Sequence, residues 1–546
     1  MKNRSSEIRA YSLLLLILTV LIDSVPTYAK TITQPCTDQL QSDFSVLSSG
    51  WSRDLAQTQN YTLEQTGLES KQLNSLEEQW SFVFTDTVHP RSVPAISRQA
   101  IFLGSQEGRV FALSKDSGCE FWSFQAAAEV RTAISLAQVN GQWLIFFGDL
   151  KANLYALDAY SGSPIWQQRA HNNSQAIITG SPVYHDERLY VPVSSLEVKA
   201  AINPFYPCCH FRGALVALDA TSGKVRWRFN TIKQEAQPTY KNIVQTQLQG
   251  PSGAAIWSAP TIDVKRKRLY VGTGQNYSYP ATAMSDAIIA IDMNTGHEVW
   301  VQQTVSNDIW NPACMVAIIS ANCPKQHGQD YDFGAPPILA TRSDGRDVIL
   351  AGQKSGMLFA MDPDNSGSVI WQKSLGRGGL LGGIHWGIAA SRDAVYAPVS
   401  DIDVPFILKY PDQPQSGLNK INIYTGDVIW HTPAFFNCRK VLDWGFGCRD
   451  GLSQAITVMP GAILAGGLDG VLRAYDENTG EVIWQFDTKQ ESTGVNGIKG
   501  EGGTLDAGAV VVADGQLFFN SGYGGLMSVG GDAGNVFRVL SLPRIN

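Results

Sequence analysis

The sequence predicts an all-β protein, an eight-bladed β-propeller in which N- and C-terminal strands close one blade together. Three observations carry this reading. A motif of apolar strand, Asp or a similar residue, Thr/Ser-Gly, three residues and Trp recurs along the chain. Its copies lie roughly one propeller blade apart. Glycine (51) and tryptophan (14) are abundant for 546 residues, as tight turns and docking aromatics require.

The copies run in order. VFALSKDSGCEFW ends at Trp122, LYALDAYSGSPIW at Trp166, LVALDATSGKVRW at Trp227 and IIAIDMNTGHEVW at Trp300. LFAMDPDNSGSVIW, with one extra residue, ends at Trp371; KINIYTGDVIW ends at Trp430 and LRAYDENTGEVIW at Trp484. Trp80, in LEEQWSF, reads as the outer strand of an eighth copy, and AVVVADGQLFFNSGYG (509–524) supplies its missing part. From Trp80 onward the spacings are 42, 44, 61, 73, 71, 59 and 54 residues. A single blade cannot bury both faces, whereas eight in a closed ring can. The tryptophans are read as docking one blade on the next, not as ligand contacts. The longest spacings run from Trp166 to Trp371. Insertions in propellers gather on one face, usually the binding face, so the chemistry is expected between residues 170 and 390.

Composition narrows the function classes. With 44% hydrophobic and 17% charged residues the chain has material for a large core, and a net charge of −7 argues against an electrostatic nucleic-acid binder. There is no Cys-x-x-Cys-His, Gly-x-Gly-x-x-Gly, P-loop, Gly-x-Ser-x-Gly or His-Glu-x-x-His. Covalent c-type haem, nicotinamide, nucleotide, serine-hydrolase and zincin chemistry therefore lack local support.

Lys2, Arg4 and Arg9 precede an apolar run from Leu13 to Ile22 and then Thr27-Tyr28-Ala29. This reads as a secretory signal over 1–29, cleaved after Ala29. The run is short for a membrane span, and no other segment reads as one. Residues 1–29 carry three basic and two acidic side chains, so cleavage takes the net charge from −7 to −8. Residues 30–74 are expected to form an extension packing on the propeller, and 75–546 the propeller itself. The protein is expected to be periplasmic or secreted, without a membrane span once the signal is removed. All eight cysteines follow residue 29, and an even number in a secreted chain argues for disulfides. Cys314–Cys323 and Cys438–Cys448 are close enough to staple single loops. With the adjacent pair Cys208-Cys209 set aside, Cys36–Cys119 is left by elimination.

The loops between the repeats resemble the pyrroloquinoline-quinone-dependent alcohol dehydrogenases, and within them the polyvinyl-alcohol-oxidising branch. The resemblance runs from GWSRDLAQTQNYTLEQTGL (50–68) to LFFNSGYG (517–524). It is closest in CCHFRGALVALDATSG, GAAIWSAPTIDVKRKRLYVGTGQN and DYDFGAPPIL. It implies an enzyme that oxidises an alcohol, secondary or polymeric, to a ketone or aldehyde. The implied cofactors are pyrroloquinoline quinone and Ca2+, with hydride transfer to the quinone. Because this chain carries no haem motif, the electrons are expected to pass to a separate soluble c-type cytochrome.

The resemblance also assigns residues. Trp257 matches the tryptophan beneath the quinone, and GTGQN (272–276) follows at the family's spacing, so Gln275 or Asn276 supplies the amide ligand to calcium. Thr179 matches a cofactor-contacting threonine, and Glu197 the carboxylate that partly neutralises the cation. Arg131 is placed at the cofactor's carboxylates. Asp330, opening Asp330-Tyr331-Asp332-Phe333-Gly334-Ala335-Pro336, is the favoured general base, with Asp332 and Asp308 as alternatives. Lys354 matches the basic residue at the quinone oxygens. His385 and Trp386 occupy a stretch that lines the cofactor as Asn-Trp in relatives, so the histidine is a departure. Cys208-Cys209 matches a vicinal disulfide against the quinone face, with Arg212 orienting its loop. The alternative from a different class is a non-catalytic propeller scaffold in the cell envelope. A third reading is a quinoprotein remnant that has lost cofactor binding.

Overall fold

The computed structural model describes residues 34–40, 44–315, 320–402, 412–434, 449–524 and 531–543. The expected signal segment and the Cys438–Cys448 pair lie outside these residues. Eight antiparallel sheets of four or more strands make up the blades. In chain order the first seven span residues 95–125, 135–169, 183–230, 261–303, 338–374, 389–433 and 457–487. The eighth joins Val511–Ala513, Gln516–Ser521 and Val536–Ser541 to Glu77–Val83, with Trp80 opposite Val539. The two chain ends thus close the ring as expected. From the C-terminal side the sequence marks only 509–524 for this blade, beside the strand that carries Trp80. The third strand, Val536–Ser541, carries neither the glycine turn nor the tryptophan that marks the other copies.

The repeated motif has a physical reason at each position. Its Asp caps the turn: the Asp158 carboxylate accepts the N–H of Ser161 at 2.9 Å, and Asp219, Asp292 and Asp476 do the same for Ser222, Thr295 and Thr479. Its glycine adopts positive φ and lies under the tryptophan of the preceding blade. This holds for Gly118 on Trp80, Gly162 on Trp122, Gly223 on Trp166, Gly296 on Trp227, Gly367 on Trp300, Gly426 on Trp371 and Gly480 on Trp430. The indole N–H of Trp80, Trp122, Trp166, Trp227 and Trp371 donates to a carbonyl of the next blade at 2.9–3.1 Å. Tryptophan and glycine therefore form the joint between consecutive blades.

This joint gives a first prediction. At Gly162 a Cβ would sit 2.5 Å from the Trp122 ring, at φ +68, whereas at Gly141, φ +82, nothing lies within 4 Å. Gly162→Ala is expected to destabilise by about 2–3 kcal/mol, from overpacking plus backbone strain. Gly141→Ala should cost about 1 kcal/mol, from strain alone. Denaturant midpoints of the two variants check the ranking.

Inner strand edges would expose unpaired backbone groups to the central channel. The segment before the eighth blade covers them. Val46–Ser48 pairs with Ala95–Ser97 of the first blade, and Gly50 donates to Ile134. The carbonyls of Leu55, Ala56, Thr58 and Gln59 then accept the N–H groups of Ile262, Leu339, Ala390 and Val458 at 2.8–3.0 Å. These four residues belong to the innermost strands of blades four to seven, so the segment winds around the channel and sets Trp51 within it. Disulfides join Cys36 to Cys119, Cys208 to Cys209 across a cis peptide, and Cys314 to Cys323.

Candidate active site

The loops entering the blades converge on the channel. A cavity lies there, bounded by Thr179, Trp257, Gly334, Trp386, Arg91, Arg131 and Trp51 among others. Trp257 is fixed by perpendicular contacts, with its ring centroid 5.4 Å from Trp386 and 6.1 Å from His385. The Thr179 hydroxyl donates to the Trp257 carbonyl at 3.3 Å. Gly334 lies so close that a Cβ there would stand 2.3 Å from the indole. The result is a flat apolar indole fixed by its neighbours.

Beside this platform lies a buried ionic cluster. The Lys354 ammonium, 5.8 Å from the Trp257 ring centroid, donates to Asp330 at 2.8 Å and to Asp332 at 2.9 Å. The remaining oxygens separate the three candidate bases. Asp332 accepts the Gln275 N–H at 2.9 Å with its other oxygen. Asp308 is used twice, accepting the N–H groups of Asp330 and Tyr331 at 3.3 and 2.9 Å, and so shapes the loop. Asp330 alone keeps a carboxylate oxygen, Oδ1, without a hydrogen-bond partner among the described residues. Asp330 sits at φ +65, a strained conformation that the Asp308 contacts hold. Burial, and then the charge of Asp332, push its carboxyl well above the usual range despite Lys354. Burial would lower the Lys354 ammonium, but the two carboxylates outweigh it and hold the group above its ordinary value.

Glu197 is buried and its oxygens are well occupied. They accept the Tyr206 hydroxyl at 2.7 Å and the N–H groups of His210 and Phe211, which follow the Cys208–Cys209 bridge. The vicinal disulfide is itself buried, and its loop is anchored to Gln249 through backbone hydrogen bonds at both cysteines. Burial raises the Tyr277 phenol, helped by the charges of Asp332, Glu197 and Asp330. The amide question is sharpened. The Asn276 side chain is committed, accepting from Thr282 at 2.8 Å and donating to Ser252 at 3.0 Å. The buried Gln275 amide has no hydrogen-bond partner among the described residues.

Arg131 also lacks a hydrogen bond among the described residues. Its guanidinium stands 5.3 Å over the Trp386 ring; burial, then neighbouring Arg91, lower it to about 10. Two neighbouring guanidiniums bordering one cavity favour an anionic group there. His385 is kept neutral by burial, Lys354 and Arg131, and its ring pairs with the Ser453 hydroxyl at 3.2 Å. Arg212 is turned away from the platform, donating to Lys233 at 3.1 Å and pairing with Glu235 at 3.6 Å.

Sequence reasoning missed three groups. Arg91 lines the cavity and pairs with Glu129 at 3.2 Å. Trp51 arrives from the winding N-terminal segment. Asp286 is a fully buried carboxyl whose oxygens have no hydrogen-bond partner among the described residues; burial, then Asp308, Asp332 and Asp330, raise it well above the ordinary carboxylate range. Arg91 and Trp51 lie outside the 170–390 window because the ring brings distant blades to the axis. No local pattern marks Asp286.

A flat platform, two channel-facing arginines and a lysine held between carboxylates on an eight-bladed propeller define a quinoprotein dehydrogenase site. The family described as glucose/ethanol/alcohol dehydrogenase, beta-propeller domain, of the PQQ type, matches residues 50–374, and the chain belongs to it. A second description, outer membrane protein assembly factor BamB, matches 468–537 only. The chain is 37% identical to a polyvinylalcohol dehydrogenase of Pseudomonas sp over 84% of its length and 71% of that protein's. It is 38% identical to the polyvinylalcohol dehydrogenase of Sphingopyxis sp. (strain 113P3), over 85% and 71% of the two chains. In structure it is similar to the quinohemoprotein alcohol dehydrogenase from Comamonas testosteroni, with TM-score 0.65, 17% identity and coverage of 92% and 81%. The protein is a PQQ-dependent, alcohol-oxidising enzyme similar to these polymer-alcohol dehydrogenases.

Proposed function

We propose that the chain oxidises secondary alcohols, including the carbinols of polyvinyl alcohol, to ketones. We further propose that it is exported, with cleavage after Ala29, and passes electrons to a separate soluble c-type cytochrome. The observation that carries the reading is Asp330, whose one oxygen is held by Lys354 while the other is left free beside the Trp257 platform. When bound, pyrroloquinoline quinone supplies the hydride acceptor, and calcium beside it a Lewis acid. The residues suit both groups. Trp257 offers a stacking face, Arg131 and Arg91 offer cations to carboxylates, and Thr179 and Trp386 border the same cavity. The orphaned Gln275 amide is the neutral oxygen a hard cation takes, which favours it over Asn276. Glu197 is the proposed carboxylate ligand, its orientation fixed by Tyr206, His210 and Phe211.

In this reading Asp330 accepts the proton of the substrate hydroxyl at Oδ1. Lys354 fixes the carboxylate's other oxygen and keeps a positive charge beside the reacting atoms. Asp308 positions the loop, and Trp257 with the buried bridge region limits water around the reacting carbon. Among the described residues no helix is long and apolar enough to cross a membrane.

The test is reconstitution. The purified chain without cofactor is mixed with pyrroloquinoline quinone, with calcium, with both or with neither, and dye reduction is followed. Substrates are 2-propanol, primary alcohols and polyvinyl alcohol. Turnover only with both additions, and faster on secondary alcohols, is expected. Equal turnover without quinone, or no quinone binding by absorbance, overturns the reading.

A further inference from the structure

Three loops stand together around the Glu197 side of the site. They are the 201–212 turn carrying the vicinal disulfide, the hairpin Gln237–Lys241/Gln247–Gly250, and the turn Ser320–Asn322 next to the Cys314–Cys323 bridge. Two buried amides lock them. The Asn322 amide donates to the carbonyls of Ala201, Asn203 and Tyr206 at 2.8–3.2 Å. The Asn242 amide, at the hairpin tip, donates to Pro204 at 2.7 Å and to the Asn322 oxygen at 2.8 Å. At the other end of the hairpin, Ser252 pairs with Ser278, next to Tyr279.

This rigid frame carries apolar side chains in water. Ile243 is 81% exposed, Phe205 71% and Tyr279 55%, with Ile202 and Val244 partly exposed beside the first two. Other exposed aliphatics, such as Ile165, the pair Val369 and Ile370 and the pair Val428 and Ile429, lie on the outermost strands of their blades, one or two to a strand. The loop residues differ. Four of them cluster where the hairpin tip meets Pro204, and Tyr279 marks the hairpin base roughly 15 Å away, at about 3.3 Å per strand residue. Exposed apolar groups held on a locked frame mark a binding surface.

We propose that this ridge docks the aliphatic backbone of a polyalcohol chain as one of its carbinols enters the site. The proposal rests on the polymer-alcohol reading above. The ridge is continuous with the site, because Tyr206, next to Phe205, bonds Glu197. Its surface is chiefly branched aliphatic, which suits a methylene backbone better than a sugar ring, and the Tyr279 phenol offers a donor to chain hydroxyls. A small alcohol fills the reacting centre without touching it.

The test compares the loaded wild type with the double variant Phe205→Ser/Ile243→Ser, both residues being exposed and outside the catalytic group. With dye as acceptor, KM for polyvinyl alcohol is expected to rise about tenfold, on the scale of losing one buried large apolar side chain. The kinetics on 2-propanol should not change. Co-sedimentation of polyvinyl alcohol with the cofactor-free chain gives a second readout, with binding by wild type and loss in the variant. An unchanged polymer KM and unchanged co-sedimentation overturn the ridge, as does an equal loss on 2-propanol. A defect confined to assays with a c-type cytochrome overturns it in favour of a protein-docking surface. Failure of the wild type to oxidise any alcohol overturns the parent reading instead, while co-sedimentation still reports on the ridge.

Discussion

Replacing Asp330 by Asn is expected to lower kcat about a thousandfold while the quinone remains bound. Proton transfer by a positioned side chain contributes on the order of 10²–10⁴ in rate, and Asp330 is the one candidate with an oxygen free to take the proton. Asp332 spends its oxygens on Lys354 and the Gln275 N–H, and Asp308 spends both on the backbone of residues 330 and 331. Asp332→Asn and Asp308→Asn should therefore lose less kcat, the latter chiefly by disturbing the loop. Titration gives a second signature. A base must be ionised to act, and burial with Asp332 places the Asp330 carboxyl above the ordinary carboxylate range. In the wild type kcat/KM should fall as pH drops through that raised value. The residual activity of Asp330→Asn should lack this acidic limb. Steady-state rates across pH, with bound quinone read by absorbance, check both. Equal losses in Asp330→Asn and Asp332→Asn would assign the proton to the pair rather than to Asp330.

The fold was legible because one short motif states its own geometry. The Asp caps a turn, the glycine takes positive φ beneath an indole, and the tryptophan reaches into the next blade, so each copy implies a neighbour. Blade eight was only half legible, since Val536–Ser541 pairs as a strand with none of those marks. Part of the grouping was legible across a single strand pair: Asp330 and Lys354, on either side of Ile338–Thr341 and Asp347–Gly352, meet at 2.8 Å. It was not legible where the ring brings distant segments to the axis. Trp51 and Arg91 precede the window of long insertions, yet they border the same cavity as Trp257. Nor does sequence separate Gln275 from Asn276, or Asp330 from Asp308. Those choices depend on which polar atoms the backbone has already satisfied.

Lys354→Met should be the most destabilising substitution in the site, by about 3–5 kcal/mol at pH 8. The ammonium is buried and its two partners, at 2.8 and 2.9 Å, are buried carboxylates. Removing one member of such a group leaves uncompensated charge, and here it leaves two charges close together. Without the ammonium the Asp330 carboxyl must rise further in pKa, because burial and repulsion from Asp332 both favour its neutral form. The sign then follows. A carboxyl whose folded pKa lies above its unfolded value destabilises the fold when ionised, and that penalty is relieved as pH falls through the folded value. The gap between wild type and Lys354→Met should therefore narrow from pH 8 to pH 5. Lys354→Arg keeps the charge and should recover most of the stability while leaving activity reduced, because a planar fork does not place its donors as the ammonium does. Denaturant midpoints at the two pH values, beside kcat for each variant, separate the roles. A Lys354→Met protein as stable as wild type at pH 8 would mean that the carboxylates are not held ionised by this lysine. The base assignment to Asp330 would then lose its electrostatic support.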